Sequence, residues 1–230
     1  MKNLVVFTGA GVSAESGIRT FRDSDGLWEQ YNIMDVATPE AWKRQPEVVL
    51  EFYNARRKQV LKAQPNLAHK IIAQLASLYN VSIITQNIDD LHERAGSKNV
   101  LHLHGEVNKA RSCVDYNLLY DITDGEIKWG DLCERGSQLR PHVVWFGEAV
   151  PAMIPAEEIV SSAEILIVVG TSLNVYPAAG LVSCTRRNCE IYLIDPGEPL
   201  IPHYLKITWL KENASTGMKK VQALLSKSLG

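Results

Sequence analysis

The sequence predicts an α/β chain built on a mostly parallel, doubly wound sheet with a smaller inserted lobe. Three observations carry that expectation. Apolar runs at 4–7, 81–84, 142–146, 164–169 and 191–194 alternate with segments of helical length, the pattern of strand–helix–strand units. The first run is continuous, as in a buried parallel strand covered on both faces. Glycine, hydroxyl and amide residues cluster where these runs end, most densely in Leu4-Val5-Val6-Phe7-Thr8-Gly9-Ala10-Gly11-Val12-Ser13-Ala14-Glu15-Ser16-Gly17-Ile18.

In chain order, the first run ends on Gly9 and Gly11, which permit a tight turn and a close backbone approach to a pyrophosphate. A plain strand–helix turn is the alternative. Residues 39–63 interrupt the alternation with helical patterning, since Pro39 suits a first turn and 47–62 is rich in good helix formers. The second run ends in Gln86-Asn87-Ile88-Asp89-Asp90, amides and carboxylates suited to a sugar or carboxamide, or to capping the next helix. Leu101-His102-Leu103-His104-Gly105-Glu106 follows, where alternation puts both histidines on one face. Residues 108–140 break the pattern again, polar and aromatic with strand-like pieces such as Ile127-Lys128-Trp129. The run at 164–169 ends in Gly170-Thr171-Ser172, another turn fit for a phosphate or ribose. The expected division is therefore 1–38, 64–107 and 141–230 as the nucleotide-binding domain, with 39–63 and 108–140 packed together as the small lobe. Ligand sites favour strand carboxyl ends and clefts between lobes.

Composition narrows the function classes. The 230 residues carry a formal charge of −2 and no Lys/Arg tract, so nucleic-acid binding has no electrostatic footprint. No apolar stretch approaches a membrane span, and the first strand begins too early for a signal peptide. The four cysteines, Cys113, Cys133, Cys184 and Cys189, are too few for a disulfide scaffold. A cytoplasmic monomer is expected.

The ordered set Gly9-Ala10-Gly11-Val12-Ser13 through Phe21-Arg22, Gln86-Asn87-Ile88-Asp89, His104-Gly105, Pro141-His142-Val143-Val144-Trp145-Phe146-Gly147-Glu148 and Gly170-Thr171-Ser172 resembles the sirtuin family, in unbroken order from residue 4 to about 215. The resemblance implies a Rossmann-type lobe, a smaller lobe, and NAD-dependent deacylation of lysine in a peptide lying between them. In that chemistry the acyl oxygen attacks the anomeric carbon of the nicotinamide ribose, nicotinamide leaves, and an alkylimidate forms. A histidine base then activates the ribose hydroxyls, giving lysine and 2′-O-acyl-ADP-ribose.

Carried over by the resemblance, His104 is the base, with Asn87 and Asp89 holding the nicotinamide ribose and carboxamide for attack. Gly9, Ala10, Gly11, Ser13, Ala14, Glu15, Gly17 and Ile18 line the NAD pocket, with Thr20, Phe21, Arg22 and Trp28 beyond them. Phe21 shields the reactive face from water. Gln86, Ile88, Gly170, Thr171 and Ser172 belong to the same pocket, and Pro196, Gly197 and Ala214 complete it. Asp195 stands where such folds place an acid on ribose hydroxyls, although many sirtuins have asparagine there. Val144, Phe146, Gly147 and Glu148, with Leu173, Asn174 and Val175, clamp the acyl-lysine peptide through main-chain bonds.

Tyr53 and Arg56 lie three apart on a predicted helix, so a phenol and a guanidinium share a face. This matches the Tyr-x-x-Arg pattern of desuccinylase-type sirtuins, with Ala37 as the small residue at the acyl channel. The resemblance thus extends the substrates from acetyl to succinyl, with malonyl or glutaryl as further acidic groups. A solvated arginine beside Arg57 and Lys58 is the alternative. Sirtuins usually hold a structural zinc with two Cys-x-x-Cys pairs, and a closed site needs four ligands. Here positions 116 and 136 are tyrosine and glycine, so no zinc is expected. Cys113 and Cys133 completed by His or Asp, or joined as a disulfide, are the lesser options. An aromatic core of Tyr116, Leu118, Leu119, Tyr120, Ile122, Ile127, Trp129 and Leu132 is expected to order the lobe instead, and Cys184 and Cys189 to lie in the core. An NAD-linked oxidoreductase and a non-catalytic acyl-lysine or ADP-ribose binder are the competing functions.

Overall fold

The computed structural model describes residues 1–18, 31–122 and 125–227, and residues 27–28 by their backbone. Strand β1 (Asn3–Thr8) leads into the short helix α1 (Gly11–Ala14), and β2 (Leu27–Trp28) pairs with β3 (Tyr31–Asn32). Three helices follow, α2 (Ile33–Val36), α3 (Pro39–Arg44) and α4 (Pro46–Lys62). The expected helical stretch is thus two helices. Pro39 and Pro46 each begin one, because a proline's missing N–H costs nothing in a first turn and breaks a helix elsewhere. Next come α5 (Leu67–Gln74), β4 (Asn80–Thr85), α6 (Leu91–Arg94) and β5 (Val100–His102). The strands β6 (Gly105–Ser112), β7 (Leu119–Asp121) and β8 (Leu139–Val143) precede α7 (Met153–Ser161). The chain closes with β9 (Ile165–Val169), β10 (Glu190–Ile194), β11 (Ile207–Leu210) and α8 (Ala214–Lys227).

Among the described residues the main sheet runs β11-β10-β9-β1-β4-β5, every neighbouring pair parallel. Counted along the chain, that is the doubly wound order in which the winding direction reverses beside the first strand. The switch point lies between β1 and β9. Period-two alternation splits each strand between two cores. Leu4, Val6, Ile165 and Ile167 face α5 and α8 with Ile72, Met218 and Val221. Val5, Phe7, Leu166 and Val168 face Val160 of α7 and Leu181. This is the Rossmann-type α/β sheet that the apolar runs predicted.

The small lobe differs from expectation in three respects. The run at 142–146 is not a strand of the main sheet. Its strand, β8, ends at Val143 and pairs antiparallel with β6, which also pairs with β7. Ile127-Lys128-Trp129 forms no strand, because the Asn54 side chain takes both backbone groups of Ile127, at 2.9 and 3.0 Å. The aromatic core is largely missing as well. Ile127 is buried with Leu50 and Ala110, and Tyr120, Ile122 and Leu139 pack around them. Tyr116, Leu119, Trp129 and Leu132 are each more than two-fifths exposed. Cys184 and Cys189 pack half-buried against the second core of the main sheet. No helix among the described residues is long and apolar enough to cross a membrane.

Candidate functional site

At the switch point two strand ends meet without side chains. Gly9 N–H donates to the Val169 carbonyl at 3.0 Å, and Gly11 N–H to the Gly170 carbonyl at 2.9 Å. A Cβ on Gly11 would lie 2.7 Å from Gly170 Cα, and one on Gly170, where φ is +65°, would lie 2.3 Å from Val12 N. These glycines therefore serve backbone-to-backbone contact between the two turns. Beside them the Gln86 amide donates to Thr171 Oγ1 at 3.2 Å, joining a third strand end to the same place.

Ser13, fully buried on α1, links the next pair. Its hydroxyl donates to Asp89 Oδ2 at 3.0 Å and accepts from Asn87 Nδ2 at 3.1 Å. Asp89 Oδ1 also accepts from the Leu91 N–H at 3.2 Å. Burial raises the Asp89 carboxyl pKa, outweighing those two hydrogen bonds. The sequence placed Ser13 in the pocket but gave no signal that it bridges Asn87 and Asp89.

His104 follows β5 in a turn, with Nδ1 2.9 Å from the Gln86 carbonyl. A carbonyl only accepts, so Nδ1 carries the proton and Nε2 keeps its lone pair. Burial lowers the His104 pKa against the help of that carbonyl, leaving a neutral ring. Its neighbour His102 reaches the next carbonyl, Asn87, with Nδ1 at 3.0 Å, while Nε2 meets Glu93 Oε1 at 2.9 Å. Behind the site, His92 Nε2 lies 3.0 Å from Thr8 Oγ1 and its ring sits 4.8 Å from that of the fully buried His69. Burial keeps His69 neutral, with a pKa of about 4.

Other candidates have separate partners. Glu15 accepts from the Ser215 N–H at 2.8 Å, at the start of α8, where Ala214 is buried in the core. Asp195 is buried, and its Oδ1 accepts from the Gly197 N–H at 2.8 Å, closing the turn through Pro196. Ile88 packs half-buried beside Leu91 and Ile18, and Ala14 and Gly17 are exposed. The Ser172 carbonyl accepts from Leu200 N–H. Thr20, Phe21 and Arg22 lie outside the described residues, and Trp28 is described only through its backbone pairing with Tyr31.

The peptide-clamp candidates fall on two loops, one after β8 and one after β9. Val144 N–H donates to the His104 carbonyl at 2.9 Å and Phe146 N–H to the Ala37 carbonyl at 3.0 Å, so these two donors are already used. Phe146, Gly147, Asn174 and Val175 are exposed, whereas Leu173 is buried with a φ of +56°. Glu148 is spent within the fold. Arg140 grips it with two bonds of 2.7 and 3.0 Å, Trp145 N–H donates to it at 2.8 Å, and Arg111 stands at 3.4 Å. Burial opposes the charge of Glu148, but Arg140 and Trp145 N–H lower its pKa overall. This grip explains why an acidic side chain follows so closely on the apolar run at 142–146.

Tyr53 and Arg56 are both buried, at 2% and 4% exposure, which removes the solvated-arginine alternative. Tyr53 shares a core cluster with Ala37, Val143 and Trp145, and burial raises its phenol pKa so that it stays protonated. Arg56 Nη1 donates to Gln59 Oε1 at 2.8 Å. Neighbouring Arg57 is buried too, bonded to the Val107 carbonyl at 2.9 Å and Asn54 Oδ1 at 2.7 Å.

At the place where the resemblance puts zinc, the chemistry does not fit a four-ligand metal site. Cys133 donates to Ser112 Oγ at 3.4 Å, Cys113 is exposed, and Tyr116 lies under the Arg111 guanidinium at 4.6 Å. Among the described residues no group of three or more His, Cys, Asp or Glu is placed to hold a metal ion.

A model of the Sir2 family matches residues 9–177. An NAD-dependent protein deacylase of Bacteroides thetaiotaomicron is 52% identical over 231 residues, covering 98% of both chains. Another of Aquifex aeolicus is 45% identical over 233 residues, 99% of this chain and 97% of that one. A crystal structure of a Sir2 homolog–NAD complex superposes with a TM-score of 0.88 at 41% identity, covering 99% of this chain and 90% of that one. A mutant Sir2 homologue in complex with 2′-O-acetyl ADP ribose also gives 0.88 at 41% identity, covering 99% and 93%. The family match spans most of this chain and the relatives span nearly all of it; the chain belongs to the Sir2 family.

Proposed function

We propose that this chain is an NAD-dependent protein-lysine deacylase that removes acetyl and acidic acyl groups, succinyl foremost, and yields nicotinamide and 2′-O-acyl-ADP-ribose. The observation that carries the proposal is His104. It is a neutral ring with Nδ1 pinned to the Gln86 carbonyl and Nε2 able to take a proton, one residue along the loop from the Ser13–Asn87–Asp89 network. NAD fits this place: the turns after β1 and β9 close together at the switch point, where doubly wound sheets bind dinucleotides, and the buried amide and carboxylate suit ribose and carboxamide. NAD supplies the electrophilic anomeric carbon. Asn87 and Asp89 orient the nicotinamide end, and His104 takes a proton from a ribose hydroxyl.

The division into a domain of 1–38, 64–107 and 141–230 and a lobe of 39–63 and 108–140 belongs to the same proposal, moved at one edge so that β8 and the turn to Glu148 go with the small sheet they bond to, with the acyl-lysine peptide along Val144–Gly147 and Leu173–Val175. The exposure of Phe146 and Val175 supports that placement. Acidic acyl recognition rests on Tyr53, a protonated phenol in the core cluster of Ala37, and on the buried guanidinium of Arg56 one turn further along α4, where a carboxylate would be matched by a charge-assisted donor. We also propose that the lobe works without zinc and that the protein acts as a monomer.

Turnover on matched acetyl, succinyl and malonyl peptides with NAD tests this. Nicotinamide release should require acyl peptide, and His104→Ala should lower it by roughly a hundredfold or more. Arg56→Met should abolish desuccinylation and spare most deacetylation. Peptide-independent nicotinamide release, or none, would overturn the deacylase assignment. Equal loss of both activities in Arg56→Met would overturn the acyl preference alone.

A further inference from the structure

We propose that His102 is a positioning residue for this reaction: as an imidazolium bridging the Asn87 carbonyl and the Glu93 carboxylate, it holds the Gln86–Asp89 loop under His104. The inference rests on the deacylase assignment for its kinetic part and on hydrogen-bond geometry for the rest. His102 ends β5 with its side chain 8% exposed. Its two ring nitrogens lie 3.0 Å from Asn87 O and 2.9 Å from Glu93 Oε1. Both partners are acceptors only, so both nitrogens must carry protons for the two bonds to form together. His104 has a single such acceptor, Gln86 O, at 2.9 Å. Two histidines thus dock on successive carbonyls of one loop, one neutral and able to accept a proton, the other charged and unable to.

The charged and titratable groups around His102 fit this assignment. Glu93 comes from α6 and Glu106 from β6, where Lys109 pairs with Glu106 at 2.7 Å. Asp89 faces it from the loop, and His92, neutral and bonded to Thr8, from α6. Burial works against the charge on His102, but the hydrogen bond and charge of Glu93, then Glu106, raise its pKa overall. The same contacts lower Glu93. Loss of a proton from His102 at high pH must break one of the two bonds. The Glu93 carboxylate is the stronger acceptor and keeps the remaining proton on Nε2, so Asn87 loses its backbone anchor and its side chain loses register with Ser13 and Asp89. Activity should therefore have an acid limb from protonation of His104 and an alkaline limb from deprotonation of His102.

Ring-nitrogen NMR of the full chain reads the protonation directly, and pH profiles of kcat read its consequence. His102 should be doubly protonated at pH 7.5 while His104 is a neutral Nδ1–H tautomer. Glu93→Gln should move the alkaline limb to lower pH and leave the acid limb in place. His102→Ala should lower kcat roughly tenfold with little change in peptide KM, and His102→Gln, which restores one donor, should recover part of it. A neutral His102 at pH 7.5, an alkaline limb unmoved in Glu93→Gln, or wild-type kcat in His102→Ala would each overturn the proposal. If the wild type released no nicotinamide, the deacylase assignment would fail, while the NMR titration would still decide the bridge.

Discussion

The switch point of the main sheet and the small antiparallel lobe are ordered by opposite means. At the switch point, Gly9, Gly11 and Gly170 bring main chains into contact, and the polar groups there are buried and hydrogen-bonded one to another. In the small lobe, large apolar side chains stay exposed, and Glu148 is caught between Arg140 and Arg111, with Arg140 stacked 3.2 Å over the Trp145 ring. The first region tolerates no added atom. The second is expected to tolerate changes of shape better than changes of charge. A site that must fix a reacting bond would benefit from the first kind of order.

The sharpest test of this contrast is Gly170→Ala. A methyl group there meets Val12 N and the Gly11 backbone at 2.3 to 2.7 Å, in a left-handed conformation. We expect a loss of about 3 kcal/mol or more by denaturant unfolding. A change below 1 kcal/mol would mean that the two turns can part freely. Next comes Glu148→Ala, which strands two arginines whose side chains are only 9% exposed. Because Glu148 itself is one-fifth exposed, we expect about 2 kcal/mol, less than for a fully buried pair. Trp129→Ser in the same lobe, at 56% exposure, should stay within about 0.5 kcal/mol. If the tryptophan variant lost more than the glutamate variant, the lobe would be held by apolar contact after all.

Acid narrows the difference between the regions. His69 in the main domain and His142 in the small lobe both have pKa values of about 4, lowered chiefly by burial. Each is neutral in the fold and protonates more readily when unfolded. Stability is therefore full above the unfolded value near 6.5 and is lost as pH falls from there towards 4, by roughly 1 kcal/mol per group at pH 5.5. Glu148 loses its contribution in the same direction but over a lower range. Its stabilisation is intact above the ordinary carboxylate pKa and is lost only as pH falls through its lowered value. Thermal unfolding across pH should show the histidine loss first. His69→Gln should flatten the upper window, and an unchanged slope would remove His69 from the account.

The same contrast explains what could be read from the sequence. The strands β1, β4, β9 and β10 were legible because each is a continuous apolar run ending in glycine, amide or acid, a local pattern set by burial on both faces. Ser13, Asn87 and Asp89 were individually visible as polar residues at strand ends. Their mutual bonding was not, since it joins α1 to a loop more than seventy residues away. The small lobe was least legible. β6 is polar and charged, its partner β8 is defined by long-range pairing, and the Asn54 side chain stands in for a neighbouring strand at Ile127. The exposed aromatics there looked like a core because composition cannot report that arginine and glutamate have replaced it. His102 was seen beside His104, yet only Glu93 in space separates their roles.

The glycine contact between β1 and β9 also sets a condition on synthesis. Leu4 pairs with Ile165 and Thr8 with Val169, so during synthesis β1 waits for the much later β9 before gaining that neighbour. A product that stops before Gly170 has the first loop but nothing for it to rest on. Any ligand seated at the junction stabilises only the finished chain, by an amount set by its concentration over its dissociation constant. Ligand protection against unfolding is therefore expected only in copies translated past the point where the two strand ends close.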